Sequence, residues 1–427
     1  MTSTAYVPHV VAWNLTRRCN LKCTHCYISA GPHETADGEL STPECTRIVD
    51  QLLAVNPSPM LILSGGEPLL RDDLPELAEY ATSRGATVVV GTNGTLLTDE
   101  RVRMLKDAGV SGVAVSVDSL DAGCHDEFRG RAHALDRTVE GLGRLREARL
   151  DFIVQTTASP ANRGELPSLL EWASAQGAVS FNLYFLVPTG RGESLEDLPP
   201  AEVETVLAEL AQAERRYRGT MMVRAKCAPH FMRLVHQADP DSPVLNYRTR
   251  CPCGIDYCRI TPDGKLTPCP YLPTPAGDLR AQSFGDVWRD APLFQKLRAR
   301  MLGGRCGRCE YNQICGGCRA RAHATTGDVM AEDPSCTYEP SGLSPLVPRP
   351  SLPYGSAPAP ATMSWTPDAR ARMDRVPSFV RGVVMKRIED YARERGLATV
   401  TPELLGEVRR AMPVDFSKRM PFFASHD

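Results

Sequence analysis

Six short runs rich in β-branched and aromatic residues, at 10–13, 61–63, 88–90, 113–115, 152–154 and 181–185, recur through the first half of the chain. Stretches of helical character, such as 43–54, 74–83 and 100–108, separate them, and Gly109 stands where the last of these needs a C-cap. Parallel strands cannot be joined by a tight turn, because each needs a crossover that is usually a helix. Strand followed by helix, repeated, therefore predicts an α/β fold with six parallel strands. Closed eight-unit barrels and open sheets share that pattern.

At 427 residues the chain has room for a catalytic domain and a smaller partner. A net charge of -2 with 23% charged residues supplies no basic stripe of the kind a phosphate backbone requires, which argues against nucleic acid. No apolar run approaches the roughly 20 residues needed to span a bilayer, so no membrane role is expected. The first residues, Met-Thr-Ser-Thr-Ala-Tyr-Val-Pro, lack the basic and apolar regions of a secretion signal. Together with 15 cysteines they predict a reducing, cytoplasmic compartment.

Directly after the first apolar run, Cys19, Cys23 and Cys26 stand in a Cys-x3-Cys-x2-Cys spacing on one short loop. A structural zinc or an electron-transfer cluster normally takes four protein ligands, and this loop offers three. Three thiolates on a 4Fe-4S cube leave one iron open to bind a small molecule. A zinc or disulfide loop is the alternative. After the second run comes Ser64-Gly65-Gly66-Glu67-Pro68, where the glycines permit close backbone approach and Pro68 stiffens the exit. Gly91-Thr92-Asn93-Gly94 and Ser116-Val117-Asp118 follow the third and fourth runs, and Arg129 follows in Phe-Arg-Gly. Alone, these segments would read as a turn, a helix cap and a surface arginine.

Farther on, cysteine spacing replaces hydrophobic periodicity as the main signal. Cys306-x2-Cys309-x5-Cys315-x2-Cys318 is followed by Cys336, and Cys251, Cys253, Cys258 and Cys269 surround Gly264. Four thiolates would suit zinc as well as iron. Cys45 and Cys124 have no such company and are expected to be inert. Cys227 lies in Arg224-Ala-Lys-Cys-Ala-Pro-His230, so that Arg224, Lys226, Cys227 and His230 offer two carboxylate partners, a hydrogen or proton donor and an iron ligand on one short segment. A buried bystander is the plainer reading of that cysteine.

The three-cysteine loop followed one unit later by Gly-Gly-Glu-Pro resembles the radical S-adenosylmethionine (SAM) superfamily. That resemblance implies a partial (β/α)6 barrel with its chemistry at the C-terminal ends of the strands. It implies a 4Fe-4S cluster on Cys19, Cys23 and Cys26 whose open iron chelates SAM. Gly65, Gly66, Glu67, Pro68, Thr92, Asn93, Ser116, Asp118 and Arg129 would border that SAM. The later cysteines resemble the SPASM or twitch extension, although Cys315-x2-Cys318 departs from its usual Cys-x3-Cys. By analogy Cys306, Cys309, Cys315 and Cys336 would hold one auxiliary 4Fe-4S cluster. Cys258, Cys269 and Cys318, with Cys251 or Cys253, would hold another, making one or two auxiliary clusters in all.

The stretches around 224–230, 257–264 and 315–323 resemble the radical SAM branch that trims acidic side chains of iron tetrapyrroles in alternative haem and nitrite-reductase haem synthesis. The segment from Trp365 through Gly396 resembles the C-terminal domain of light-independent protochlorophyllide reductase, also a tetrapyrrole enzyme. The resemblance implies an enzyme that removes or oxidatively decarboxylates propionate or acetate arms. Arg191, Arg224, Arg319 and Arg321 would position them, and a reduced flavodoxin- or ferredoxin-type protein would donate electrons. A peptide maturase and a non-catalytic iron–sulphur scaffold are the alternatives. The expected organisation is a barrel over 1–225, an auxiliary cluster domain over 226–338, a proline-rich linker over 339–362 and a small helical domain over 363–427. In that last part Val380, Val384, Ile388 and Ala392 form an apolar stripe that needs a partner.

Overall fold

The computed structural model describes residues 6–246, 250–348, 361, 363–374, 376 and 378–411. Most of the expected linker, the side chain of Val380 and the helical pattern beyond 411 lie outside the described residues.

All six expected strands form: β1 (Val10–Asn14), β2 (Met60–Ser64), β3 (Thr87–Thr92), β4 (Gly112–Ser116), β5 (Phe152–Ala158) and β6 (Ser180–Phe185). A seventh, β7 (Met222–Lys226), continues the parallel series beside β6. The extension then adds β8 (Tyr257–Ile260), parallel to β1 on its other side, with β9 (Lys265–Thr267) antiparallel to β8 and β10 (Gly277–Asp278) antiparallel to β9. The sheet order is β10-β9-β8-β1-β2-β3-β4-β5-β6-β7, an open rather than closed series.

Alternation along each strand separates two sides. Val11 and Trp13 face the crossover helices and join one large apolar core, whereas Val10, Ala12 and Asn14 face inward. Residues from every strand from β1 to β7 line a single cavity of about 870 Å³, so the parallel strands curve around it as a partial barrel. The outer core continues into the extension, where Phe284, Trp288 and Phe294 pack with Ile48 and Leu52. A capping box of Ser41 and Glu44 starts the helix Thr42–Val55, and Glu44 also accepts from Arg280 Nε at 2.9 Å, which ties barrel to extension.

The tail has a small core of its own. Ile388 and Ala392, with half-buried Val384, pack against Val400, Leu404 and Val408 of the following strand and helix. The apolar stripe thus finds its partner inside the tail. One contact with the barrel runs from Arg381 Nη2 to Ser58 Oγ at 2.7 Å, just before β2 and at the opposite end of that strand from Gly65. No helix among the described residues is long and apolar enough to cross a membrane.

Candidate functional site

Cys19, Cys23 and Cys26 all line the cavity, on the loop that leaves the C-terminal end of β1. Leu21 N donates to Cys19 Sγ at 3.4 Å, Asn93 Nδ2 lies 3.9 Å from the same sulphur and Arg129 Nη1 lies 3.8 Å from Cys23 Sγ. Burial pushes the Cys19 thiol up to about 12 and raises Cys23, against which Arg129 acts in the opposite sense. Thiols buried this deeply ionise only against positive charge, as an iron cluster provides. Among the described residues, Arg129 Nε, Arg191 Nη2 and His25 Nδ1 are buried beside this loop without a hydrogen-bond partner. Burial lowers His25 to about 4, leaving it neutral. The donors and thiols fit an anionic iron–sulphur group with a carboxylate-bearing ligand.

Gly65 and Gly66 line the cavity, but their glycine requirement has another cause. A Cβ on Gly65, whose φ is +148°, would fall 2.6 Å from Thr16 O, and one on Gly66 would come closer still to Arg18 O. The turn is pressed against the backbone that leads into the cysteine loop. Gly66 N donates to Thr16 O at 2.7 Å and Glu67 N to Arg18 O at 2.9 Å.

Several expected SAM neighbours instead hold the loops together. Glu67 is fully buried and accepts from Leu69 N, Thr92 Oγ1 and Asn93 N at 3.1, 2.8 and 2.9 Å, and burial raises its pKa. Neither Glu67 nor Pro68 reaches the cavity wall, because the chain turns back into the core at Pro68–Leu70. Asp118 is likewise buried off the wall, pairing with Arg129 and accepting from Thr157 N at 2.8 Å. Thr92, Asn93, Ser116 and Arg129 do border the cavity. Asn93 Nδ2 also donates to Asn20 Oδ1 at 2.9 Å.

Cys251, Cys253, Cys269 and Cys318 pack together, and Cys227 joins them. All five border the same cavity as the first loop. Cys253 hydrogen-bonds Cys251 and draws its thiol down, whereas burial raises Cys227, with Cys318, Cys269 and Cys251 adding to the rise. Cys227 follows β7 with a φ of +61°, an unusual conformation for a residue with a Cβ. Cys258 is not part of this group. It pairs in register with Val11, on the outward side of the strand, and sits in the main apolar core. The expected ligand set containing Cys258 is corrected accordingly.

Cys306, Cys309, Cys315 and Cys336 surround a second, smaller space of about 30 Å³. Gly316 and Gly317, with φ of +70° and +65°, turn the chain so that Cys315 faces this group and Cys318 the other. Backbone donors again aim at sulphur, with Gly317 N to Cys315 Sγ at 3.4 Å and Asp333 N to Cys306 Sγ at 3.5 Å. His230 borders this space rather than the main cavity, which corrects its expected place beside substrate. Among the described residues no three His, Cys, Asp or Glu side chains converge tightly enough for one metal ion, the arrangement a single zinc needs. The thiols ring open spaces instead.

Of the four expected arginines, Arg191 and Arg224 border the main cavity. Arg319 donates to Val329 O and Ala331 O, and Arg321 to Cys227 O and Leu186 O, so both brace the extension. The cavity wall carries Arg129, Arg191, Arg218, Arg224, Lys226 and Arg250 against a single acid, Glu214. Lys226 borders it as well, as expected, whereas Arg218 and Arg250 were missed, as was the pairing of Tyr27 with Asn14, which receives Arg259 Nε at 2.6 Å. Polar residues two apart at inward strand ends, such as Gln155 and Thr157, Asn182 and Tyr184, and Arg224 and Lys226, were the available signal.

Residues 13–173 match the Radical SAM superfamily, 251–319 an iron–sulfur cluster-binding SPASM domain, and 365–409 the proto-chlorophyllide reductase 57 kD subunit. The AdoMet-dependent heme synthase of Methanosarcina barkeri is 41% identical, over 80% of this chain and 99% of that protein. The Fe-coproporphyrin III synthase of the same organism is 32% identical, over 77% and 85%. Among solved structures, Streptococcus suis SuiB bound to S-adenosylmethionine superposes with a TM-score of 0.65 at 16% identity, covering 78% of each chain.

Proposed function

The chain belongs to the radical SAM superfamily, in a branch bearing a SPASM extension, and from that premise we propose an enzyme that removes or oxidatively decarboxylates acidic side chains of an iron tetrapyrrole. The observation that carries this reading is the charge of the cavity wall, where Arg191, Arg224, Lys226 and Arg250 add to Arg129 and Arg218, whose charges Asp118 and Glu214 offset. Propionate and acetate arms are anions. The names of the two Methanosarcina relatives support the same substrate class.

Cys19, Cys23 and Cys26 would hold the catalytic 4Fe-4S cluster, and Gly65, Gly66, Thr92, Asn93, Ser116 and Arg129 would border the SAM. When bound, these groups would supply radical chemistry at the substrate arm, and an auxiliary cluster would supply one-electron exchange. The protein's own residues place the arm and keep water away. Arg191 Nε donates to Cys23 O at 2.8 Å, so its guanidinium stands where the cysteine loop meets the substrate space. Arg224 and Lys226 project from β7 into the same space and take the carboxylates. Tyr27 and Tyr271, with ring centroids 5.1 Å apart, form part of an apolar wall for the macrocycle. Glu67 and Asp118 position the SAM loops from behind. Thiols kept for cluster ligation rather than disulfides suit a reducing compartment such as the cytoplasm, with a reduced flavodoxin- or ferredoxin-type donor.

Absorbance titration with iron coproporphyrin III tests the substrate reading. A charge-assisted hydrogen bond contributes about 1.5–3 kcal/mol, so Arg224→Gln with Lys226→Gln should weaken binding by roughly tenfold or more. The tetramethyl ester of the same ligand should bind parent and variant alike. Equal affinity of parent and variant for the free acid would remove these side chains from substrate binding.

A further inference from the structure

His230 is fully buried, and among the described residues neither ring nitrogen has a hydrogen-bond partner. Buried polar groups are nearly always paired, because an unpaired one forfeits its hydrogen bonds to water without replacement. The imidazole stands at the space ringed by Cys306, Cys309, Cys315 and Cys336, with Arg233 and Asp333 beside it. Asp333 is already engaged, and Arg233 is engaged at both Nη atoms though not at Nε. Asp333 accepts from Cys318 N at 2.7 Å, from Ser335 N at 3.2 Å and from Arg321, while Arg233 donates to Glu204 and Gln237. Beside them, the four thiols border this space with the imidazole.

Four thiolates complete the ligand set of a 4Fe-4S cube and leave no iron for an imidazole. A neutral imidazole still carries one N–H donor. We propose that His230 donates a hydrogen bond to a sulphur of the cluster held by Cys306, Cys309, Cys315 and Cys336, and so raises its reduction potential. Reduction adds negative charge to the cluster, which strengthens an N–H···S bond and favours the reduced state. The same short turn ends three residues earlier at Cys227 in the other thiol group, and Arg321 joins that turn to Asp333. His230 thus adjusts one auxiliary cluster from a segment that also contacts the other. The proposal rests on the reading that these four thiols hold iron.

The test is an anaerobic potentiometric titration followed by electron paramagnetic resonance. A parent carrying Cys19→Ala, Cys23→Ala and Cys26→Ala removes the catalytic cluster's signal. In that background His230→Leu should move one auxiliary midpoint to lower potential with altered g-values and unchanged iron per chain. His230→Asn or His230→Gln, which keep an N–H donor, should restore it. If the leucine variant does not fold, His230→Met takes its place. A midpoint unmoved by the loss of the donor would overturn the proposal and assign the imidazole to a buried water. Loss of iron in donor-free and donor-bearing variants alike would overturn it in favour of a structural role. A parent without iron at these four cysteines would fail earlier, at the cluster reading itself, and iron analysis distinguishes that result.

Discussion

Cys258 and Cys269 show how little a thiol's position in the chain says about its chemistry. β8 pairs with β1, so the period of two places Tyr257 and Arg259 on the inward side and Cys258 among Val11, Ile48 and other core residues. Cys269 lies beyond β9, where Tyr271 N donates to its Sγ at 3.3 Å and the other thiols gather. Cys258→Ala should therefore leave iron per chain unchanged and cost on the order of 1 kcal/mol in stability, whereas Cys269→Ala should lower iron. Iron analysis with a denaturant titration reads both, and iron lost from the Cys258 variant would contradict the placement. Spacing made Cys19, Cys23 and Cys26 legible because one loop supplies all three. It misled at Cys258 because pairing register decides which side a strand residue faces, and register is not written in cysteine spacing.

Among the elements, the turn after β2 is the tightest constraint. Its glycines are pressed on Thr16 and Arg18, and Glu67 ties it to Thr92 and Asn93, so three loops move as one. Gly66→Ala must displace backbone rather than a side chain. Such overpacking costs about 1–3 kcal/mol, and it should weaken SAM binding by shifting the cysteine loop. Calorimetric SAM titration with a thermal melt checks this, and full SAM affinity in the variant would show that the loop tolerates the shift. The six apolar strands were legible because strands buried on both faces read as continuous runs. β7 was not, because Arg224 and Lys226 face the cavity and interrupt its hydrophobicity. The tail's stripe was legible as a helix face, as was a further helix starting at Pro402, but that this helix, Pro402–Ala411, is the stripe's partner becomes visible only in three dimensions.

For the whole molecule, one cavity borders both the first cysteine loop and the five-thiol group, and its wall is basic. On the function proposed, a substrate bound there borders both the site of radical formation and an auxiliary site. The tail's contact at Ser58 places it away from the cysteine loop, so its proto-chlorophyllide reductase likeness is not needed for the chemistry proposed. The most direct measurement is anaerobic turnover of the reconstituted enzyme with SAM, a reductant and iron coproporphyrin III, with the tetrapyrrole and 5′-deoxyadenosine both followed by mass spectrometry. The account predicts a tetrapyrrole that has lost carboxyl groups, one 5′-deoxyadenosine for each arm altered, and neither product from the Cys19→Ala variant. Formation of 5′-deoxyadenosine with every acidic arm intact would contradict it.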